Sequence, residues 1–175
     1  HSDSSAASDV YKRQVLPPGV ERHVVNAGGL TGLQIFPDDE IEIINEEGNQ
    51  ICEIICFDKD GKSELGILNQ KENCKKSFIK ELLKGKDESS LITNLQLKKR
   101  NLDINKSKSS ILFDEQTPSG EKIKIKSKDK CYVIFAAPQN NMLVSEQNPS
   151  SDLTLYIKRY KTVSYTHLTL PTSHC

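Results

Sequence analysis

The chain has 175 residues, with 24 basic and 24 acidic side chains, so its formal net charge is zero. Zero net charge is not typical of a protein that binds nucleic acid or an acidic membrane surface through its overall charge. No run of about 18 apolar residues occurs, so the sequence predicts no membrane-spanning helix. We therefore expect neither nucleic acid nor membrane among its partners.

The two ends of the sequence differ in composition from the rest. Residues 1–14, HSDSSAASDVYKRQ, are rich in Ser, Asp and Ala, and residues 163–175, VSYTHLTLPTSHC, pair with no neighbouring predicted element. Both runs resemble adapter-derived sequence at the ends of assembled genes, so we exclude them from fold reasoning, as we would a tag. The alternative is a natural disordered tail at each end. We expect a single β-rich domain over residues 15–162.

The cysteines of this domain are predicted to be reduced. Cys52, Cys56 and Cys131 fall in apolar patterns, as buried cysteines of a cytosolic protein do, which predicts a cytoplasmic location. Cys52 and Cys56 share a strand face about 13 Å apart, too far for a disulfide. No CxxC pair occurs and the domain holds a single histidine, His23. These residue types favour buried hydrophobic cysteines over a metal site or a Cys–His catalytic pair.

The first part of the domain predicts short strands separated by turns. Strands are expected at 22–26, 30–36, 40–43 and 51–57. Glu47-Gly48-Asn49 has turn chemistry, because Gly48 adopts positive φ without steric cost, so residues 40–57 are predicted to form a two-stranded hairpin. The second strand of that hairpin is apolar on both faces, which indicates a central position in a sheet.

Between residues 73 and 100 the apolar period changes to that of a helix. Asn73 is a plausible N-cap and Gly85 a plausible C-terminal glycine, which predicts a first helix of about 11 residues. Its apolar stripe consists of Phe78, Ile79, Leu82 and Leu83. A second helix is predicted from Ser90, ending in the basic run 98–100. Its side chains expected to face inward are Leu91, Ile92 and Leu95.

The remaining sequence returns to strands, at 110–114, 122–126, 130–137 and 153–160. Lysines alternate with isoleucines in 122–126, which is typical of an exposed sheet edge. Residues 138–152 form a polar loop. We therefore predict a mainly β fold, a β-sandwich or barrel of about eight short strands, with one or two short helices inserted around residues 73–100.

Glu53 is the residue that departs most clearly from its surroundings, since it shares a strand face with Ile51 and Ile55. Burial disfavours a charged carboxylate unless donors meet it, and buried carboxylates concentrate at functional sites. We predict no catalytic or metal-binding residues in the chain, but a ligand site for a small amine. Its predicted residues are Glu53, Gln50, Asn140, Gln147 and Asn148. The alternative is that a backbone donor or Arg22 holds Glu53 and that the loop is solvated surface.

The segment IINEEGNQICEIICF resembles the urea-carboxylase-associated family. The matching positions are Glu46 or Glu47, Gly48, Gln50 and, three positions on, Glu53. Members of that family include subunits of a metal-dependent carboxyguanidine deiminase. This resemblance implies the alternative function, a free-standing metal-dependent amidine or guanidine hydrolase. The sequence departs from the family in lacking the cysteine and histidine ligands of a working deiminase metal site.

A second resemblance spans about Leu16 to Lys161. The opening LPPG, the Gly-Leu-Thr strand, the GNQ turn and the ending FAAPQNNMLVSEQNPSSDLTLYIKR resemble the N-terminal β domain of some aminomethyltransferase-like proteins. In those proteins a folate-binding domain of the glycine-cleavage T-protein type follows, and its sequence is not present here. The resemblance implies an accessory domain fragment from one-carbon metabolism, not catalytic alone. Its partner would be the C-terminal folate-binding domain of the same chain, and tetrahydrofolate would be the cofactor of the parent only.

Overall fold

The structure, a computed structural model, describes residues 16–139 and 149–161. The predictions for residues 1–14 and 163–175 lie outside the described residues. Eight strands occur within the described ranges. They are Val20–Val25 (β1), Leu30–Ile35 (β2), Glu40–Asn45 (β3), Cys52–Asp58 (β4), Ser109–Leu112 (β5), Glu121–Lys126 (β6), Cys131–Ala136 (β7) and Leu153–Lys158 (β8).

The strands form two antiparallel sheets of four, ordered β1-β8-β3-β6 and β2-β7-β4-β5. Apolar side chains from both sheets make one core, which includes Val25, Ile41, Ile54, Phe135 and Leu155. The prediction of a mainly β fold is confirmed, and its form is a sandwich. β4 lies inside its sheet and the lysine-rich β6 lies at an edge, as the sequence predicted.

The predicted hairpin over residues 40–57 is wrong, because its two strands belong to different sheets. β3 pairs with β6 and β8, whereas β4 pairs with β5 and β7. The turn between them is as expected, with Gly48 at φ 78°. A Cβ at Gly48 would lie 2.7 Å from the Thr117 carbonyl oxygen, so the turn also needs glycine for its close approach to that segment. The chain reverses there while crossing the sandwich.

Two α-helices and two 3₁₀ turns complete the described chain. The helices are Phe78–Leu82 (α1) and Glu88–Lys99 (α2), and the 3₁₀ turns are Leu65–Leu68 and Ile104–Lys106. α1 is shorter than predicted, since Ser77 rather than Asn73 is its N-cap. Asn73 instead exchanges two hydrogen bonds with the Ile111 backbone, at 2.6 and 3.1 Å. These helices cover the outer face of the β2-β7-β4-β5 sheet, where Ile79 and Leu97 pack with Phe57 and Ile134.

The predicted inward face of the second helix is also wrong. Leu91, Ile92 and Leu95 are exposed, whereas Ser90, Thr93 and Leu97 are buried. Ser90 Oγ donates to the Leu82 carbonyl at 2.7 Å, and thus the helix meets the end of α1 through a polar side chain. None of the helices in residues 16–139 and 149–161 has the length and apolarity needed to cross a membrane.

Candidate functional site

Glu53 lies on β4 and its side chain is fully buried, at 0% exposure. Its carboxylate accepts hydrogen bonds from four donors on two other segments of the chain. Ser77 Oγ donates to Oε2 at 2.6 Å and Phe78 N donates to Oε1 at 2.6 Å. Ile79 N lies 3.4 and 3.3 Å from the two oxygens, and Ser109 Oγ donates to Oε2 at 2.9 Å. The carboxylate therefore joins β4, the start of α1 and β5.

This geometry gives Glu53 the role of a helix cap. The first backbone N–H groups of a helix have no partner within it, and Ser77 alone reaches only Lys80 N, at 3.3 Å. Glu53 accepts from the first two N–H groups of the helix, at Phe78 and Ile79. Arg22 is not among its partners and is exposed on β1. The structure thus favours the interpretation in which backbone donors hold Glu53, while a ligand role for it stays a prediction.

Gln50 is also buried, and its side chain ties two segments of the chain together. Its amide Nε2 donates to the Pro138 carbonyl at 2.9 Å and to the Ile51 carbonyl at 2.8 Å. Its Oε1 accepts from Ser151 N at 2.8 Å. Gln50 therefore joins the beginning and the end of the predicted polar loop. Gln50 and Glu53 have no hydrogen-bond partner in common, so the structure does not bring these two predicted site residues together.

The other predicted ligand residues cannot be placed. Asn140, Gln147 and Asn148 lie outside the described residues, and their role stays a prediction. What the structure describes is the base of the loop, where Pro138 and Ser151 meet Gln50.

A groove of about 290 Å³ opens beside this loop base. Arg22, Glu46, Glu47 and Asp152 lie along it, and Asp152 Oδ1 also accepts from Ala27 N at 2.8 Å. Ser151 lines the groove too, and among the described residues its buried Oγ has no hydrogen-bond partner. A groove with three carboxylates and one guanidinium suits a small cation better than an anion. Sequence reasoning missed it, because it is assembled from β1, the β3–β4 turn and the segment before β8.

A second buried polar atom without a described partner lies next to Gln50. Asn45 Nδ2 donates to the Gln50 carbonyl at 2.6 Å, but Asn45 Oδ1 accepts from no described donor. Asn45 ends β3, directly after an apolar alternation. An asparagine directly after an apolar alternation was the signal available in the sequence, since polar groups that become buried usually find partners.

The cysteines are free thiols in the described chain. Cys52, Cys56 and Cys131 are buried, as predicted, and Cys74 is partly exposed. Burial raises the pKa of the Cys52 thiol far above its usual range. A hydrogen bond between Cys56 and Cys131 raises the pKa of Cys56 and lowers that of Cys131. Within residues 16–139 and 149–161, no three His, Cys, Asp or Glu side chains are grouped so that they could hold a metal ion.

Fold and site together define an antiparallel β-sandwich with helices on one outer face and a polar groove at one end. No model of a known protein family matches the chain. The chain is 33% identical over 156 residues to a trimethylamine-oxide aldolase from Ruegeria pomeroyi. The match covers 89% of this chain and 20% of that protein. The chain is therefore homologous to part of that enzyme and spans about one fifth of its length.

Proposed function

We propose that this chain is an accessory β-sandwich domain of a longer, aminomethyltransferase-like enzyme of one-carbon metabolism. The observation that carries the proposal is the 33% identity to a trimethylamine-oxide aldolase of which the match covers only 20%. A domain homologous to one fifth of an enzyme is expected to work with the rest of such a polypeptide. The parent would be a cytoplasmic protein. A folate-binding domain would follow this one in its sequence, and that domain would hold tetrahydrofolate.

The same relative suggests the class of ligand. A trimethylamine-oxide aldolase acts on a small methylated amine oxide, and the groove beside Gln50 carries Glu46, Glu47 and Asp152. A cationic amine would pair with these carboxylates, while the unpartnered Ser151 Oγ could take part as donor or acceptor. We therefore propose a small amine, or its oxide, as the ligand of the parent enzyme at this end of the sandwich.

The decisive experiment is to obtain the intact gene and follow its reading frame past residue 162. A folate-type domain after this sandwich is the expected result. The purified parent should then consume trimethylamine oxide, and residues 15–162 alone should not. A reading frame that stops without a further domain would overturn the proposal.

The alternative, a free-standing metal-dependent amidine or guanidine hydrolase, has its own test. Residues 15–162, purified and analysed for metal, should carry zinc or manganese in stoichiometric amount if the hydrolase interpretation is right. No observation on the described residues favours it, and we keep it as the outcome that an early stop codon would leave open.

A further inference from the structure

We propose that the outward apolar face of α2, formed by Leu91, Ile92 and Leu95, is the docking surface for the rest of the parent polypeptide, which packs against it as a second domain. This inference rests on the proposed function, because it requires the parent to continue beyond the sandwich. It adds to that function the surface through which the two domains meet.

The first observation is the exposure of this face. Leu91 and Ile92 are each 51% exposed and Leu95 is 65% exposed. In the described part of the chain, the only other exposed large hydrophobic side chain is Tyr160, at 66%. Single exposed hydrophobic residues are normal, but residues 91, 92 and 95 are neighbours on one side of a helix. A contiguous exposed apolar patch of this kind marks an interaction surface.

The second observation is that the orientation of α2 is fixed by polar contacts on its inner side. Ser90 Oγ donates to the Leu82 carbonyl at 2.7 Å, and Asn94 Nδ2 donates to the Leu83 carbonyl at 2.8 Å. Rotating the helix to bury Leu91, Ile92 and Leu95 would break both bonds, and the Leu82 carbonyl would keep only its bond from Gly85 N, at 3.0 Å. The helix therefore keeps Leu91, Ile92 and Leu95 outward, while its buried side holds Ser90, Thr93 and Leu97.

The third observation places this face near the point where the chain leaves the sandwich. Arg100, which caps the C-terminal end of α2, donates from Nη1 to Gln34 Oε1 at 2.6 Å. Arg159, just after β8, donates from Nη1 to the carbonyl oxygen of the same Gln34 at 2.8 Å. Exposed Tyr160 follows directly. A polypeptide that continues beyond this point starts beside the end of α2, which favours docking there over docking on a remote face.

The kind of domain that docks on α2 follows from the length of the relative outside the match and from the charge of the last turn of α2. The match covers 20% of the relative, so four fifths of that enzyme lie outside the aligned part. The last turn of α2 carries Lys98 and Lys99 next to the apolar face. A second domain that docks here should present an apolar centre with acidic side chains opposite these lysines, since complementary charge at the rim sets the register of an interface.

The test is a photo-crosslinking experiment in the full-length protein from the intact gene. A benzophenone amino acid is placed at Leu95 and, in a matched control, at Lys122, which is exposed on β6 at the far edge of the other sheet. Irradiation of the Leu95 variant should give a crosslink within one polypeptide, from residue 95 to a peptide of the domain that follows residue 162. The Lys122 control should give no such crosslink.

Three results would overturn the docking surface: no crosslink from residue 95, a crosslink to a second copy of the chain, or a crosslink confined to residues 15–162. The reading frame separates this failure from failure of the proposed function. If the frame encodes a folate-type domain and residue 95 does not reach it, the docking surface alone is wrong. If the frame encodes no further domain, both proposals fall at the sequencing step.

Discussion

At the scale of single residues, Glu53 shows how this fold accommodates a buried carboxylate. A carboxylate loses its hydration on burial, and here Ser77, Phe78, Ile79 and Ser109 replace the water. Two of the donors are backbone N–H groups at the start of α1, and a backbone N–H can only donate a hydrogen bond. Oε1 must therefore accept, whereas Oε2 mainly meets the hydroxyl groups of Ser77 and Ser109, which can accept as well as donate.

Glu53→Gln should destabilise the domain by about 2 kcal/mol, because the neutral amide loses the charge that strengthens these hydrogen bonds and its NH₂ cannot accept from Ile79 N. Urea unfolding followed by circular dichroism measures this change. Glu47→Gln, at an exposed position of the turn before β4, is the control and should leave the midpoint unchanged. Wild-type stability of the Glu53 variant, together with lost amine binding, would instead establish the ligand role predicted from the sequence.

Glu53 also shows what a sequence can and cannot reveal about a site. Its place in an apolar row is sufficient to single it out from the sequence. Its partners were not predictable, since Ser77 and Ser109 lie 24 and 56 residues away along the chain. Nothing in their local sequence distinguishes them from solvated serines.

At the scale of elements, the contact of α2 with β2 depends on one glycine. α2 packs over β2, and a Cβ at Gly32 would lie 1.9 Å from Tyr132 Oη and 2.6 Å from Tyr132 Cζ. The Tyr132 ring in turn lies under Arg100, with the guanidinium carbon 4.5 Å from the ring centre. Gly32 thus leaves the space that a buried tyrosine occupies beneath the end of α2.

Gly32→Ala should destabilise the domain by about 2 kcal/mol, because the tyrosine ring must shift within a packed layer. In a Tyr132→Leu background, where no ring atom approaches position 32, the same substitution should cost clearly less. A double-mutant cycle of unfolding free energies measures the coupling. Equal costs in the two backgrounds would mean that Gly32 matters for its backbone and not for the space above it.

The elements themselves were predicted well where the signal is local. Alternating side chains, and continuous apolar runs at β4 and β7, located all eight strands to within a few residues. The hairpin over 40–57 failed because Gly48 specifies a reversal of the chain but not the partner of either strand. The predicted inward face of α2 was wrong for a different reason. The prediction assumed that apolar side chains point inward, whereas the hydrogen bonds of Ser90 and Asn94 determine the orientation of the helix.

At the scale of the whole molecule, Arg159 connects the two sheets. It pairs with Glu21 of β1 at 2.8 Å and with the buried Asp39 at 2.8 Å, and it donates to the Gln34 carbonyl of β2 at 2.8 Å. Asp39 is 1% exposed, so it depends on this guanidinium and on the backbone N–H groups of Phe36 and Tyr160.

Arg159→Gln should destabilise the domain by about 3 kcal/mol at pH 7, because it removes the cation that pairs with buried Asp39. Burial alone would raise the pKa of Glu21, but hydrogen bonds from Arg159 and His23 lower it below its usual value. A lowered pKa in the folded state gives stability that is present above the unfolded value and is lost as the pH falls through the folded one. Below about pH 4.5 the wild type should therefore lose more stability than the variant.

Unfolding free energies from pH 7 to pH 3 test both parts of this prediction, with exposed Arg22→Gln as the control. Parallel pH profiles for the wild type and the Arg159 variant would show that Arg159 does not set the titration of Glu21.

The position of β8 has a consequence for synthesis on the ribosome. β8 is the last strand of the described residues, yet it lies between β1 and β3 inside its sheet. Until about residue 158 has left the exit tunnel, β1 and β3 cannot pair with β8, the strand that lies between them in the finished sheet. A nascent chain of this protein therefore exposes two unpaired strand edges for most of its translation, and such edges favour pairing with other chains. Truncation before Leu153 should leave an aggregating product rather than a smaller domain.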